Sequence, residues 1–205
     1  MELLKLEQRT EEWLEARKGK ITGSKLNDIV VKRGTGKKIG FYELLADKLS
    51  IQGEDEDPMD RGTRLEEEAL ELFAKMISKE LDTNIGLCVS DKNKGIALSP
   101  DALIKNGKKY TEAVELKCLS SAKHLMAFFE KKIPSEYDMQ ALQYFIVNED
   151  LQKLYFVFYD PRVTVKPLHY IEINREDVAE DIETYTQYQI DVLKEIDQLL
   201  LDIAF

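Results

Sequence analysis

The stretch from Ala102 to Leu119 constrains the fold more than any other part of the chain. Ala102 to Ile104 and Thr111 to Leu119 read as strands, and the Asn106-Gly107 pair between them is a turn signal. A hairpin is the expected outcome. Side chains two apart on a strand share a face. Glu115 and Lys117 therefore fall on one side of the second strand, and Val114, Leu116 and Cys118 on the apolar other side. Asp101 precedes the turn and Glu115 follows it, so the hairpin brings both carboxylates near one point.

The segments around this hairpin alternate between helical and β-like patterns. Glu11 to Val31 reads as two helical pieces separated by Gly19 to Thr22, with Thr22 and Ser24 as candidate N-caps of the second. Lys32 to Lys38 is a basic, glycine-broken loop and a candidate DNA-contacting patch, followed by a helix from about Phe41 to Leu49. Gly53 to Asp60 is an acidic, proline-containing linker, and a strong helix follows from about Thr63 to Ser78. Ile85 to Val89 and Gly95 to Leu98 read as short strands, Ser121 to Lys131 and Ser135 to Asn148 as helices, and Leu154 to Tyr159 and Pro167 to Ile173 as strands. From Glu176 to Ile203 a long amphipathic helix carries Val178, Ile182, Tyr185, Val192, Ile196, Leu199 and Ile203 on one side. This pattern predicts one α/β domain over residues 1–205, a central mixed sheet flanked by helices.

Composition narrows the chemistry. The hydrophobic and charged fractions, 43% and 33% of 205 residues, suit a globular domain and exclude a disordered chain. No run approaches the ~18 consecutive apolar residues of a membrane span, and Met1-Glu2-Leu3-Leu4-Lys5 lacks the apolar core of a secretory signal. A cytoplasmic protein without a membrane partner is expected. Cys88 and Cys118 could fill only half of a four-cysteine metal site, and His124 and His169 are too few for a histidine-rich zinc site. A catalytic metal would then be a hard cation held by oxygens. The net charge of −10 argues against a nucleic-acid binder. Binding follows the local field, however, and a site that holds divalent cations is acidic for a reason.

Two carboxylates can hold a magnesium ion that keeps other positions for water and a phosphate oxygen. A lysine on the same face can orient the nucleophile or stabilise the transition state. By itself, an E-x-K pattern is more often an ordinary charged pair on a sheet face. A third carboxylate changes those odds. On the helix from Thr63, wound at ~100° per residue, Leu65, Ala69, Leu72, Phe73, Met76 and Ile77 define an apolar arc. Glu66 falls within roughly 50° of the centre of that arc, whereas Glu67, Glu68 and Glu71 fall outside it. A carboxylate aimed at the core needs a partner, either a metal or a salt bridge such as one to Lys117.

Five motifs occur in order. Trp13 to Ser24 follows the pattern W-x-x-x-R-x-G-x-I-T-x-S, and Gly62-Thr63-Arg64-Leu65-Glu66 follows G-x-x-x-E. Pro100-Asp101 and Glu115-Leu116-Lys117 come next, and Gln140-Ala141-Leu142-Gln143-Tyr144 supplies a glutamine motif. In these residues the chain resembles the phage lambda exonuclease or YqaJ-type viral recombinase nucleases of the PD-(D/E)XK superfamily, over about two-thirds of its length from Trp13 to Tyr144.

The resemblance implies a PD-(D/E)XK restriction-endonuclease-like core. It also implies a magnesium-dependent 5′→3′ exonuclease that degrades one strand of linear double-stranded DNA from its end, for phage-type recombination. Asp101 and Glu115 would coordinate magnesium, or manganese in its place, helped by the backbone carbonyl of Leu116. Glu66 would act through a metal-bound water or a second ion, and Lys117 would position the attacking water. Arg17, Ser24, Ser99 and Gln143 would grip the terminal 5′-phosphate, with Gln140 on the same helix face as the alternative amide. An arginine fork, hydroxyls and an amide suit a phosphate dianion. A ring-shaped homo-trimer around DNA and a single-strand-annealing protein are the implied partners.

Two departures concern the DNA contacts. Leu119 stands where the family often has proline, and Lys123 stands nearest a DNA-contacting arginine, keeping the charge but losing the fork. Ala102 follows the aspartate where glycine is common. Two other readings stay open at this point: a restriction-type endonuclease of the same superfamily, and a non-catalytic module that binds DNA ends.

Overall fold

In the computed structural model, which describes residues 10–17, 20, 28–31, 34, 36–51 and 58–204, the expected hairpin is formed by β3 (Ala102–Asn106) and β4 (Lys109–Lys117). Gly107 sits in its turn at φ 64°, a left-handed conformation that glycine adopts without a Cβ clash. Ala102 pairs with Val114 and Leu103 with Ala113. β5 (Lys153–Tyr159) adds parallel to β4, with Phe156 opposite Glu115, and β6 (Leu168–Asn174) adds antiparallel to β5. The result is a mixed sheet in the order β3-β4-β5-β6. A parallel neighbour requires a long crossover, supplied here by α4 (Ser121–Glu130) and α5 (Asp138–Val147).

Strand alternation assigns the two faces. On one, α3 (Pro58–Ile77) packs Leu65, Ala69 and Phe73 against Val114, Leu116, Tyr155 and Val157. On the other, α5 packs Ala141, Tyr144 and Phe145 against Ala113, Leu154, Phe156 and Phe158. Each large apolar side chain removed from water in these layers contributes about 1.5–3 kcal/mol. α2 (Ile39–Leu49) packs on α4 around Tyr42, Leu125 and Val163. A small antiparallel pair, β1 (Cys88–Val89) with β2 (Ala97–Leu98), leans on α5. α1 (Glu11–Arg17) stands near the N-terminus, and α6 (Ala179–Ala204) near the C-terminus.

Several boundaries differ from the sequence reading. α3 starts at Pro58, so the end of the acidic linker is helical. Proline suits a first helical position because its φ is preset and its missing N–H has no partner there anyway. Ile85 to Val89 and Gly95 to Leu98 shrink to the two-residue strands β1 and β2. Ser135 to Asn148 divides into a 3-10 turn, Ser135–Tyr137, and α5. Of the expected stripe on α6, Ile182 and Tyr185 pack, joined by Ile190 and Leu193, whereas Val192, Ile196, Leu199 and Ile203 are 36%, 46%, 52% and 81% exposed. Among the described residues, no helix is long and apolar enough to cross a membrane.

Candidate active site

The alternation of β4 turns Glu115 and Lys117 toward α5. Glu115 is only 1% exposed, and a buried charge is costly unless hydrogen-bonded. Three donors meet that need. Lys117 Nζ donates to Oε1 at 2.5 Å, Gln140 Nε2 donates to the same oxygen at 2.6 Å, and the Tyr144 hydroxyl donates to Oε2 at 2.5 Å. The Tyr144 hydroxyl also lies 3.2 Å from the Val114 carbonyl oxygen. Its burial and the Glu115 charge hold the phenol well above its ordinary range.

Asp101 lies one residue before the Ala102–Val114 pair, at the mouth of the hairpin. Its Oδ2 accepts a hydrogen bond from the Leu116 amide at 2.6 Å. Burial, and then the negative charge of Glu115, push the Asp101 carboxyl up to about 7, with Glu66 adding to the effect. The hairpin thus gathers two carboxylates in a niche that disfavours ionising both. A hard divalent cation relieves that conflict, and these oxygen donors fit magnesium. With the side chains as they stand, no group of three or more His, Cys, Asp or Glu among the described residues is gathered closely enough to hold an ion. In this state the ammonium of Lys117 neutralises Glu115.

Glu66 corrects the helix-wheel reading. The sequence places it inward and in need of a buried partner, yet it is exposed. Its helical angle lies among those of the buried Leu65, Ala69, Leu70 and Phe73. The inner face of α3 therefore opens to solvent at this level. Glu66 is close enough to Asp101 and Cys118 to raise the pKa of both. It approaches from the α3 side of the sheet, whereas Glu115 faces α5. The salt bridge considered for it with Lys117 is not what Lys117 makes, because Lys117 pairs with Glu115.

The other candidate residues divide. Gln140 reaches the Glu115 carboxylate, whereas Gln143 turns to α6, donating to Gln189 Oε1 at 3.0 Å and to the Ala97 carbonyl at 3.3 Å. Gln189 returns a 3.0 Å bond to Gln143 Oε1. Of the two amides, Gln140 is the one at the carboxylates. Ser99 is exposed two residues before Asp101. The Arg17 guanidinium lies 4.3 Å from the centre of the Trp13 ring on α1. Lys123 pairs with Glu136 at 2.8 Å. Ser24 and the cap Thr22 lie outside the described residues, as do Lys32, Arg33 and Thr35 of the basic loop.

Sequence reasoning missed the network that fixes α3 against the end of β4. Asp160, fully buried just after β5, accepts from Arg61 at 2.8 Å, from the Ser121 hydroxyl at 2.6 Å and from Arg162 Nε at 2.9 Å. Arg61 also donates to the carbonyls of Cys118 and Leu119 at 3.1 and 3.0 Å. These charge-assisted bonds join the helix that carries Glu66 to the strand that carries Glu115 and Lys117. The only sequence signal was an arginine between the acidic linker and the expected start of the helix, which reads equally well as solvent-exposed.

Residues 12–150 match the YqaJ-like viral recombinase domain. No match was found among curated proteins. Among solved structures, the chain is 28% identical to LHK-Exo in complex with dAMP, with a TM-score of 0.61 and coverage of 95% of this chain and 98% of that chain. It is 27% identical to the alkaline exonuclease LHK-Exo from Laribacter hongkongensis, with the same TM-score and coverage.

Proposed function

The chain belongs to the YqaJ-like viral recombinase domain family, and from that premise we propose that it is a magnesium-dependent 5′→3′ exonuclease acting on the ends of linear double-stranded DNA. The observation that carries the reading is the desolvated Asp101–Glu115 pair with Lys117 hydrogen-bonded to Glu115. Similarity to an alkaline exonuclease along nearly the whole chain supports the same chemistry.

Asp101, Glu115 and the Leu116 carbonyl would hold the magnesium, or manganese, with Glu66 contributing through water or a second ion. When bound, the ion supplies Lewis acidity that neutralises charge growing on the scissile phosphate. Tyr144 and Gln140 keep the Glu115 carboxylate in one orientation. The Leu116 amide does the same for Asp101. Lys117, on the same face as Glu115, would present its ammonium donors to the attacking water and the phosphate. Arg17, Ser24, Ser99 and Gln140 are the proposed grip on the 5′-phosphate. A single domain in a PD-(D/E)XK-type core, a homo-trimer around the duplex, a single-strand-annealing partner and a cytoplasmic setting complete the proposal.

The test is digestion of linear duplexes, with and without a 5′-phosphate, beside covalently closed circles. Release of nucleotides from 5′-phosphorylated linear DNA, dependent on magnesium and lost in Glu115→Ala, is expected. Cleavage of intact circles would point instead to a restriction-type endonuclease. A folded, DNA-binding protein that releases nothing would leave only an end-binding module.

A further inference from the structure

Tyr137, Gln140 and Tyr144 are spaced by three and four residues, so they lie along one face of α5 and the turn that leads into it. The whole stripe is directed at the E-x-K pair. Gln140 and Tyr144 serve Glu115, and Lys117 Nζ lies 5.1 Å from the centre of the Tyr137 ring. That distance is within the ~6 Å reach of a cation–π contact.

We propose that Tyr137 is a positioning residue, holding the Lys117 ammonium in its working orientation through the face of its ring. The proposal rests on the reading of Lys117 given above. Lysine is a point charge on a flexible four-carbon stem, and Lys117 is 22% exposed at the open side of the site. Its bond to Glu115 is to a carboxylate that a divalent cation also claims. An aromatic face holds the ammonium without competing for that cation. It also adds no negative charge beside Asp101, whose ionisation the site already disfavours.

The ring is fixed well enough to serve. It leans on the fully buried Phe156 at 5.8 Å between centroids, and Phe156 is the β5 residue opposite Glu115. Its backbone is held by the Tyr137 amide, which donates to the Pro134 carbonyl at 2.9 Å. The charged neighbours Glu136 and Lys123 pair with each other, and Glu136 also accepts a hydrogen bond from the Tyr137 hydroxyl, away from the ring face.

The experiment compares Tyr137→Leu and Tyr137→Phe with wild type and Lys117→Ala. Tyr137→Leu should lower kcat about tenfold, the size of one cation–π contact in a partly desolvated site, with KM for DNA ends unchanged. Tyr137→Phe, which keeps the ring face, should stay within about twofold. In protein with 13C-labelled lysine, the Lys117 ε-methylene signal, identified by its loss in Lys117→Ala, should be shifted upfield by the ring. The shift should persist in the Phe variant and vanish in the Leu variant. Tyr137→Met, which fills much of the space against Phe156 without a π face, replaces Leu if that variant loses its thermal transition. Full kcat in the Leu or Met variant, an equal loss in Phe, or a loss confined to KM would each overturn the role of Tyr137. A Lys117→Ala enzyme with wild-type activity would instead overturn the reading of Lys117 itself.

Discussion

Asp101→Asn should stabilise the metal-free protein at alkaline pH while removing its activity. The Asp101 carboxyl titrates at 3.8 as a free side chain and is pushed up to about 7 in the fold, first by burial and then by Glu115. Between those values the folded protein holds a proton that the unfolded chain has released. Stability therefore falls as pH rises through that window, and the full cost is present above it. Roughly three pKa units at 1.36 kcal/mol each set an upper bound of about 4 kcal/mol. In a chain of this size 1 kcal/mol moves Tm by about 2–4 °C. Asparagine retains an oxygen to accept from the Leu116 amide but carries no charge to desolvate. Scanning calorimetry in EDTA should show the Asn variant unfolding several degrees above wild type at pH 8.5, and the gap should close near pH 4. Magnesium should raise the wild-type Tm at pH 8.5 and leave that of the variant unchanged. Burial lowers the pKa of both His124 and His169, which acts with the opposite sign, but both are common to the two proteins and cancel in the difference. A gap that ignores pH, or a variant destabilised throughout, would refute the reasoning.

Three further outcomes follow from the buried polar contacts. Tyr144→Phe removes the donor to Glu115 Oε2 and should cost about 1.5–3 kcal/mol in urea unfolding at pH 8. Asp160→Asn removes the buried carboxylate charge that pairs with Arg61 and Arg162 and should cost about 3–5 kcal/mol by the same measurement. His169, stacked on Phe158 and bonded to the His124 carbonyl, is held down to about 4 by burial and by His124. It is neutral in the fold while the unfolded chain takes up a proton near 6.5, so stability is lost as pH falls from 6.5 toward 4. Between pH 7 and 4 the wild type should lose about 3 kcal/mol more than His169→Gln, and equal losses in the two proteins would contradict this assignment.

How much of the site could be read in advance depended on how local its signals are. The hairpin and its two faces were legible because alternation and an Asn-Gly turn are encoded within 20 residues or so. Those signals put Glu115 and Lys117 on one face and Asp101 at its mouth, where the structure has them. The apolar arc of α3 was equally legible, but a helical wheel gives a direction and not what stands in that direction. Glu66 has the inward angle of a core residue and is exposed, because buriedness is decided by the layer opposite. Likewise the stripe of α6 promised packing along its length, and the domain it packs on ends near Leu193.

The contacts that organise the site join distant parts of the chain. Tyr144 meets Glu115 across 29 positions, and Arg61 meets Asp160 across 99. Neither has a local period to announce it. Both follow from the parallel placement of β5 beside β4, which brings the end of β5 and the start of α3 to the C-terminal end of β4. That end is where β4 stops pairing with β3, leaving the Leu116 amide for Asp101 and the Cys118 and Leu119 carbonyls for Arg61. The same strand end, paired with β5 but no longer with β3, thus seats one proposed ligand, Asp101, and anchors the helix that bears another, Glu66. A loss at Arg61 or Asp160 should consequently disturb the spacing of Glu66 from Asp101, although neither Arg61 nor Asp160 is among the proposed metal ligands.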